Sequence, residues 1–576
     1  MYFNSQGKAE VTYDAIVVGS GISGGWAAKE LSQKGLKTLV LERGRRVRHG
    51  EYPTAGMDPW DYESGAGERV PQAEIDQHYA KQDRTGFAIK QSNKQWFVKD
   101  DEHPYTEVKR FDWIRGYHEG GRSLTWGRQS YRLSDLDFEA NARDGIAVDW
   151  PIRYADLKPW YDYVETFAGV SGQAEGLAHL PDGNFLPPME MNCVEKELKK
   201  GVAANFGGRL VTIGRTAHLT QPNPAIHGSR GKCQFRNRCV RGCPYGAYFS
   251  SNASTIPAAE ASGNMTMRPH SVVHSIIFDK ETGKAAGVRV IDGQTGEQHE
   301  FFARIVFLCA SALGSTHILL NSQSEEHPDG LGNGSGQLGR NLMDHHFKVG
   351  ANGVYDGFHD RYYKGRRPNG FYIPRFRNLG PDSNRKDFLR GYGYQGSASR
   401  DNWMRGVKEM EMTMGADFKD ALVLPGAWRM GMTGFGECLP YEDNRVYLNQ
   451  DVKDIHGLPT LTIDAEFKEN EKAMRKDMAQ SAAEMMEASG FKDVEMYDDV
   501  SFPGLGIHEM GTARMGRSAK TSVLNKWNQV WEAPNVFVTD GAAMTSAACQ
   551  NPSLTYMALT ARAADYAVKE LNKMNL

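Results

Sequence analysis

Asp14-Ala15-Ile16-Val17-Val18-Gly19-Ser20-Gly21-Ile22-Ser23-Gly24 is the stretch that decides the fold. A short apolar run breaks into a glycine turn of the form GxGxxG. The spacing predicts a strand over 14–18, a helix over 26–33 stopped by Gly35, and a second strand over 37–41 that ends at Glu42. This is the strand–turn–helix–strand unit of a Rossmann-like fold. Gly19 permits the tight turn, Gly21 lets a pyrophosphate approach the backbone, and Gly24 lets helix and strand pack closely. The helix start offers free N–H groups and a positive dipole end to phosphate. Glu42, roughly twenty residues beyond the first glycine, suits a carboxylate that bonds ribose hydroxyls. The motif points to a dinucleotide without separating FAD from NAD.

Outward from this unit, 576 residues exceed what one hydrophobic core spans, so two joined domains are expected. The 40% hydrophobic and 24% charged content is that of a globular protein, and a net charge of −3 argues against nucleic acid or an anionic membrane as partner. The longest apolar runs, such as 305–310, are too short to cross a bilayer. Residues 1–13 show neither a basic n-region nor an apolar h-region, so no export signal is expected in this chain. Further strands are expected over 271–278, 286–291, 304–309 and 535–539, and helices over 470–489 and 554–571. Met474, Met478, Met485 and Met486 read as a core-facing stripe. Between 345 and 502 the composition shifts towards aromatics, arginines and glycines. Tyr392, Tyr394, Gln395, Trp403 and Trp428 there are candidates either to meet a substrate or to fill a core.

Two late segments carry chemistry: His508-Glu509-Met510-Gly511-Thr512, and Asp540-Gly541 followed by Gln550-Asn551-Pro552-Ser553. With Gly120-Gly121-Arg122-Ser123-Leu124-Thr125-Trp126-Gly127 and Gly339-Arg340-Asn341-Leu342-Met343-Asp344-His345, they resemble the glucose–methanol–choline oxidoreductases from end to end and in the family's order. The resemblance implies an α/β protein with an FAD-binding domain discontinuous in sequence (10–50, 111–130, 255–344 and 503–576). A substrate domain on a mostly antiparallel sheet takes 51–110, 131–254 and 345–502. It implies His508 as catalytic base and Asn551 as its partner at the flavin. Gly121, Ser123, Val273, Asp540, Gly541, Asn551 and Pro552 join Gly19, Gly21, Gly24 and Glu42 as FAD contacts. A base that titrates near neutrality suits removal of a hydroxyl proton. Read without the resemblance, His508 is equally a satisfied core histidine and Asn551 a helix cap. Thr125 stands where one branch of the family has a flavin-bonding histidine, which implies dissociable FAD.

Of seven cysteines, Cys233, Cys239 and Cys243 lie within one loop. Their spacing fits neither a zinc ribbon nor a ferredoxin run. A Cys3His zinc site using His227, or a disulfide with a free thiol, are alternatives. The loop, with Cys243-Pro244-Tyr245-Gly246-Ala247, resembles that of bacterial flavin sugar dehydrogenases, which implies a 3Fe-4S cluster. By this resemblance the chain oxidises a sugar hydroxyl, C3 of a glucoside above all, and C1 oxidation of glucose is the rival. A sugar oxidase using oxygen, or a lyase that keeps FAD as a scaffold, has no need of a relay. The same resemblance implies a small subunit bearing an export signal, a cytochrome c or quinone acceptor, and a periplasmic location, with a cytoplasmic enzyme as the alternative. Arg230, Arg236, Arg238 and Arg241 are expected to make this loop a solvated surface.

Overall fold

The structure, a computed structural model, describes residues 13–62, 68–86, 88–361, 368–400, 415–423 and 426–576. Trp403 and residues 1–12, on which the leader reading rests, lie outside the described residues. In chain order, the elements that position the site are strand β1 (Tyr13–Val18), helix α1 (Ile22–Gln33), β2 (Thr38–Leu41), β3 (Met265–Arg268) and β4 (Gln298–Leu308). They continue with β5 (Val349–Tyr355), β6 (Tyr392–Arg400), β7 (Trp428–Gly436), α2 (Glu469–Ala488), β8 (Ala533–Val538) and α3 (Ser553–Asn572).

Five strands form a parallel sheet in the order β8-β4-β1-β2-β3. Val17 pairs with Val40 on one side and with Phe307 on the other. Such strands are covered on both faces, which is why 14–18 and 37–41 read as unbroken apolar runs. Trp26, Ala27, Ala28 and Leu31 of α1 are fully buried, as are Ala563, Ala564 and Ala567 of α3. These small side chains let the two helices cross closely. β4 begins earlier than its apolar run predicts. Its first half pairs antiparallel with the hairpin of Ser271–Asp279 and Lys284–Asp292, where one face meets solvent and the apolar pattern is interrupted.

A second, six-stranded sheet is antiparallel throughout. Its order is Lys492–Asp498, β5, β7, β6, Phe371–Ile373 and Thr212–Ile213. α2 packs one face of it. Met474, Met478, Met485 and Met486 are all fully buried there, as their spacing predicts. Tyr392 and Tyr394 point into the same core, their hydroxyls donating to Asp477 Oδ2 (2.5 Å) and the Met478 carbonyl (2.6 Å). Trp428 is buried in this core as well. Among the described aromatics offered as substrate contacts, core packing prevails.

Candidate functional site

Between the two sheets runs a cavity of about 470 Å³. It begins at Glu42 and Arg43, passes Gly19 to Ser23 and the 121–129 turn, and reaches His508, Asn551, Gln395 and Phe435. The glycine turn is built as its motif demands. A Cβ on Gly24 would fall 2.0 Å from the Gly19 carbonyl oxygen, so only glycine admits this approach of helix to strand. A Cβ on Gly21 would meet nothing within 4 Å, and one on Gly121 would lie 3.5 Å from Gly21 Cα. Two side-chain-free turns thus lie against each other at the cavity wall and form a cradle that a pyrophosphate fits. Glu42 is buried at the end of β2 and accepts hydrogen bonds from the Ser20 amide (3.1 Å), the Ser20 hydroxyl (2.5 Å) and the Gly44 amide (2.9 Å). Burial nevertheless holds its carboxyl above the usual range, against the pull of these donors.

Gly19, Gly21, Glu42, Gly121, Ser123, Val273, Asp540, Gly541, His508 and Asn551 all line this one cavity. Gly24 and Pro552 do not. Gly24 acts through helix packing, and Pro552 is the buried residue preceding α3. Tyr556 and Trp113 also line the cavity. The cradle and the carboxylate at the strand end fit FAD. Bound there, FAD supplies a hydride acceptor. Glu42 would hold the ribose, and Gly19 to Gly21 with the start of α1 would hold the pyrophosphate.

His508 is held by its neighbours from the backbone outward. Asp344 accepts from the amides of Gly504 (2.7 Å), Gly506 (2.8 Å) and His508 itself (3.0 Å). Met343 and Met510 exchange two backbone hydrogen bonds, so the 341–345 and 504–510 segments are zipped together. Ile507 sits at φ +59°, a conformation that costs a β-branched residue on the order of 1–3 kcal/mol and aims the next side chain inward. Burial lifts the Asp344 carboxyl to about 7, with a further push from Glu509 and opposition from the amides. Glu509 is itself clamped by both Arg122 nitrogens at 3.0 and 2.9 Å.

The hydrogen bonds of His345 determine which nitrogen of His508 is free. His345 Nε2 lies 2.8 Å from the Ala548 carbonyl, which only accepts, so the proton is on Nε2. Burial pushes His345 down to about 4, so it is neutral and its Nδ1 is an acceptor. His508 Nδ1 stands 2.7 Å from it and must donate. That leaves the His508 Nε2 lone pair unprotonated and at the cavity. Burial first, then His345 and Arg122, push His508 well below its ordinary value, so it is a neutral base at pH 7. On the partner, Asn551 Oδ1 accepts from Gln395 Nε2 (2.7 Å). An alcohol here would give its hydroxyl proton to His508 Nε2. The hydride would leave the same carbon with its electron pair, and the C–O bond would become a carbonyl. His345 is a residue whose part sequence reasoning missed: a lone histidine at the end of the 339–345 stretch carries no periodic signal, and only the contact with His508 discloses it.

The cysteine loop excludes two of its alternative readings and departs from expectation at its arginines. All seven cysteines are free thiols. His227 has both nitrogens engaged, Nδ1 accepting from the Asn223 amide (2.8 Å) and Nε2 meeting the Thr166 carbonyl (3.1 Å), so it is no fourth ligand. Among the described residues no group of three or more His, Cys, Asp or Glu is arranged to hold a single metal ion. Cys233, Cys239 and Cys243 nonetheless line one small cavity of about 30 Å³ together with His218, whose Nε2 is 3.9 Å from Cys239 Sγ. Burial, and the other two thiols, push Cys233 up to about 11. The arginines are not solvated charges. Arg230 is buried and donates to the Gly246 (2.9 Å) and Ala168 (3.0 Å) carbonyls, Arg236 to the Ala55 carbonyl, and Arg238 and Arg241 pair with Asp58 and Glu68. They staple the loop to the body, where Val240 lines the main cavity.

Comparison with known proteins agrees with this geometry. The two GMC oxidoreductase family models match residues 13–347 and 440–560. The chain is 31% identical to the 2-methyl-1,2-propanediol dehydrogenase of Mycolicibacterium austroafricanum, over 96% of this chain and 94% of that one. It is 24% identical to the fructose dehydrogenase large subunit of Gluconobacter japonicus, over 97% and 98%. Among solved structures, pyridoxine 4-oxidase from Mesorbium loti superposes with a TM-score of 0.56 at 15% identity, covering 96% of this chain and 98% of that one, and shares the fold. With the glycine cradle, the end-to-end match and a neutral histidine lining a cavity that FAD fits, the chain belongs to the GMC oxidoreductase family.

Proposed function

We propose that this chain is an FAD-dependent dehydrogenase of polyhydroxylated alcohols, acting on a secondary hydroxyl, C3 of a glucoside, to give a 3-keto sugar. The observation that carries the alcohol chemistry is the bare His508 Nε2 in the same FAD-shaped cavity that Asn551 lines. The sugar reading draws on the resemblance of the cysteine loop and on the fructose dehydrogenase large subunit as a relative. A second reading, a smaller diol as substrate, is favoured by the 31% identity to 2-methyl-1,2-propanediol dehydrogenase. Anaerobic bleaching of the flavin by methyl glucoside, glucose, fructose and 2-methyl-1,2-propanediol separates the two, with product regiochemistry by NMR. Methyl glucoside has C1 blocked and C3 free. Oxidation of glucose with none of methyl glucoside would replace C3 by C1, and bleaching by the diol alone would overturn the sugar reading.

The cysteine loop is proposed as the seat of a 3Fe-4S cluster. Cluster thiolates each bind a different iron, so they converge on one space without the close grouping a single ion needs. The convergence of the three thiols on one space supports this, as does Val240, which joins their loop to the FAD cavity; at about 30 Å³ that space would have to widen to take the cluster. Iron and acid-labile sulfide assays test it. Zinc without sulfide, or activity with air as with dye, would favour an oxidase. A relative that is itself a large subunit supports a small partner. Export to the periplasm with that partner, and a cytochrome c or quinone acceptor, complete the proposal. Activity confined to the cytosol of the native host on a chain that purifies alone would overturn it.

A further inference from the structure

Gln395 stands on β6, an inner strand of the antiparallel sheet, directly opposite Thr433 of β7 and Tyr372 on its other side. Tyr392 and Tyr394 turn into the core against α2, and strand alternation sends Gln395 to the opposite face, where it lines the main cavity. Strands paired on both sides move little, so the position is rigid. From there Gln395 Nε2 donates to Asn551 Oδ1 at 2.7 Å, across 156 residues of sequence.

We propose that Gln395 is a positioning residue that sets the direction of the Asn551 amide, so that Asn551 presents its N–H group, and not its oxygen, to the reacting hydroxyl. The inference rests on reading His508 and Asn551 as the pair that receives an alcohol, and not on which alcohol it is.

The consequence is a division of roles. The acceptor assigned to the proton is His508 Nε2, since the other ring nitrogen is committed to His345. A hydroxyl can give its proton to only one acceptor, and as it does so its oxygen gains negative charge and needs a donor. With Gln395 donating to its oxygen, Asn551 is held with that oxygen directed at Gln395 and its Nδ2 hydrogens free to donate. Were the amide reversed, two acceptors would compete for one proton and the developing charge would face an oxygen. An asparagine alone is ambiguous about this direction, and the bond from Gln395 Nε2 to Asn551 Oδ1 selects one of the two.

The test uses the holoenzyme and whichever of methyl glucoside, fructose, glucose and 2-methyl-1,2-propanediol bleaches the wild-type flavin fastest. Gln395→Glu keeps the shape, but an ionised carboxylate only accepts. It recruits Asn551 Nδ2 and turns the amide oxygen to the cavity, so the limiting flavin-reduction rate is expected to fall about 10²-fold or more, a scale typical of a lost oxyanion donor. Gln395→Ala leaves the amide free to turn and is expected to cost about 10-fold, the scale of one neutral hydrogen bond. FAD absorbance and melting temperature should stay close to wild type in both, and the loss should appear in the limiting rate more than in the half-saturating concentration. In an Asn551→Ala background the two substitutions should have no further effect. Reduction by Gln395→Glu at the wild-type rate, a larger loss for Ala than for Glu, or losses that persist without Asn551 would each overturn the assignment. If a diol but no sugar bleaches the flavin, the sugar reading falls while this test proceeds unchanged.

Discussion

Replacing His345 by phenylalanine removes the acceptor that decides the tautomer of His508. In the wild type the 2.7 Å contact with His345 Nδ1 keeps the His508 proton on Nδ1. Without it, nothing on that side favours Nδ1 over Nε2, and a buried N–H left unpaired costs about 1–3 kcal/mol. The proton then shifts to Nε2, where water or substrate can accept it, and the base disappears. At about 1.4 kcal/mol per factor of ten, the limiting rate of flavin reduction should fall about 10- to 10²-fold. The Ala548 carbonyl also loses its donor, so some loss of melting temperature accompanies the change. His345→Gln, which can donate with its amide nitrogen and accept with its oxygen, should recover part of the rate. The assay is anaerobic stopped-flow bleaching of bound flavin, with FAD content measured first. A phenylalanine variant that retains FAD and reduces within about twofold of wild type would refute the tautomer argument.

Other outcomes follow from the same geometry. His345 and His508 both have lowered values, so between about pH 4 and pH 6.5 these two histidines bind more protons in the unfolded chain than in the native one, while the Asp344 carboxyl, lifted to about 7, works in the opposite sense. The histidine contribution to stability should therefore rise with pH across that window, by up to about 3 kcal/mol for His345, and is read as the change, between denaturant melts at pH 4.5 and pH 7, in the stability difference between wild type and His345→Phe. The acid limb of flavin reduction should lie below pH 6.5, and a limb at or above 7 would contradict a depressed His508. Asp344→Asn leaves one carbonyl oxygen where the carboxylate accepts from three amides, so hydrogen exchange at residues 504–508 should speed up and the melting temperature fall. Unchanged protection there would show that the clamp is not what holds the loop. With Thr125 at the tethering position, acid precipitation should leave FAD in the supernatant, whereas flavin in the pellet would mean a covalent bond.

The sequence by itself determined the architecture of the nucleotide unit and named residues that line one cavity. A glycine turn between an apolar strand and a helix has few physical solutions, and β1, α1 and β2 form close to where the pattern puts them. The methionine stripe of α2 was equally legible, because helical periodicity records burial directly. Tertiary structure decided what depends on contacts between distant segments. Tyr392, Tyr394 and Trp428 read alike as sugar platforms or core, and only the pairing of β6 and β7 under α2 sends them inward while Gln395 faces the cavity. The arginines of the cysteine loop looked like solvated charge until their carbonyl and carboxylate partners came from segments as far away as Ala55 and Ala168. The protonation of His508 was out of reach for the same reason. It depends on His345 and, beyond it, on the Ala548 carbonyl, and a proton's position follows from the chain of donors and acceptors that folding assembles.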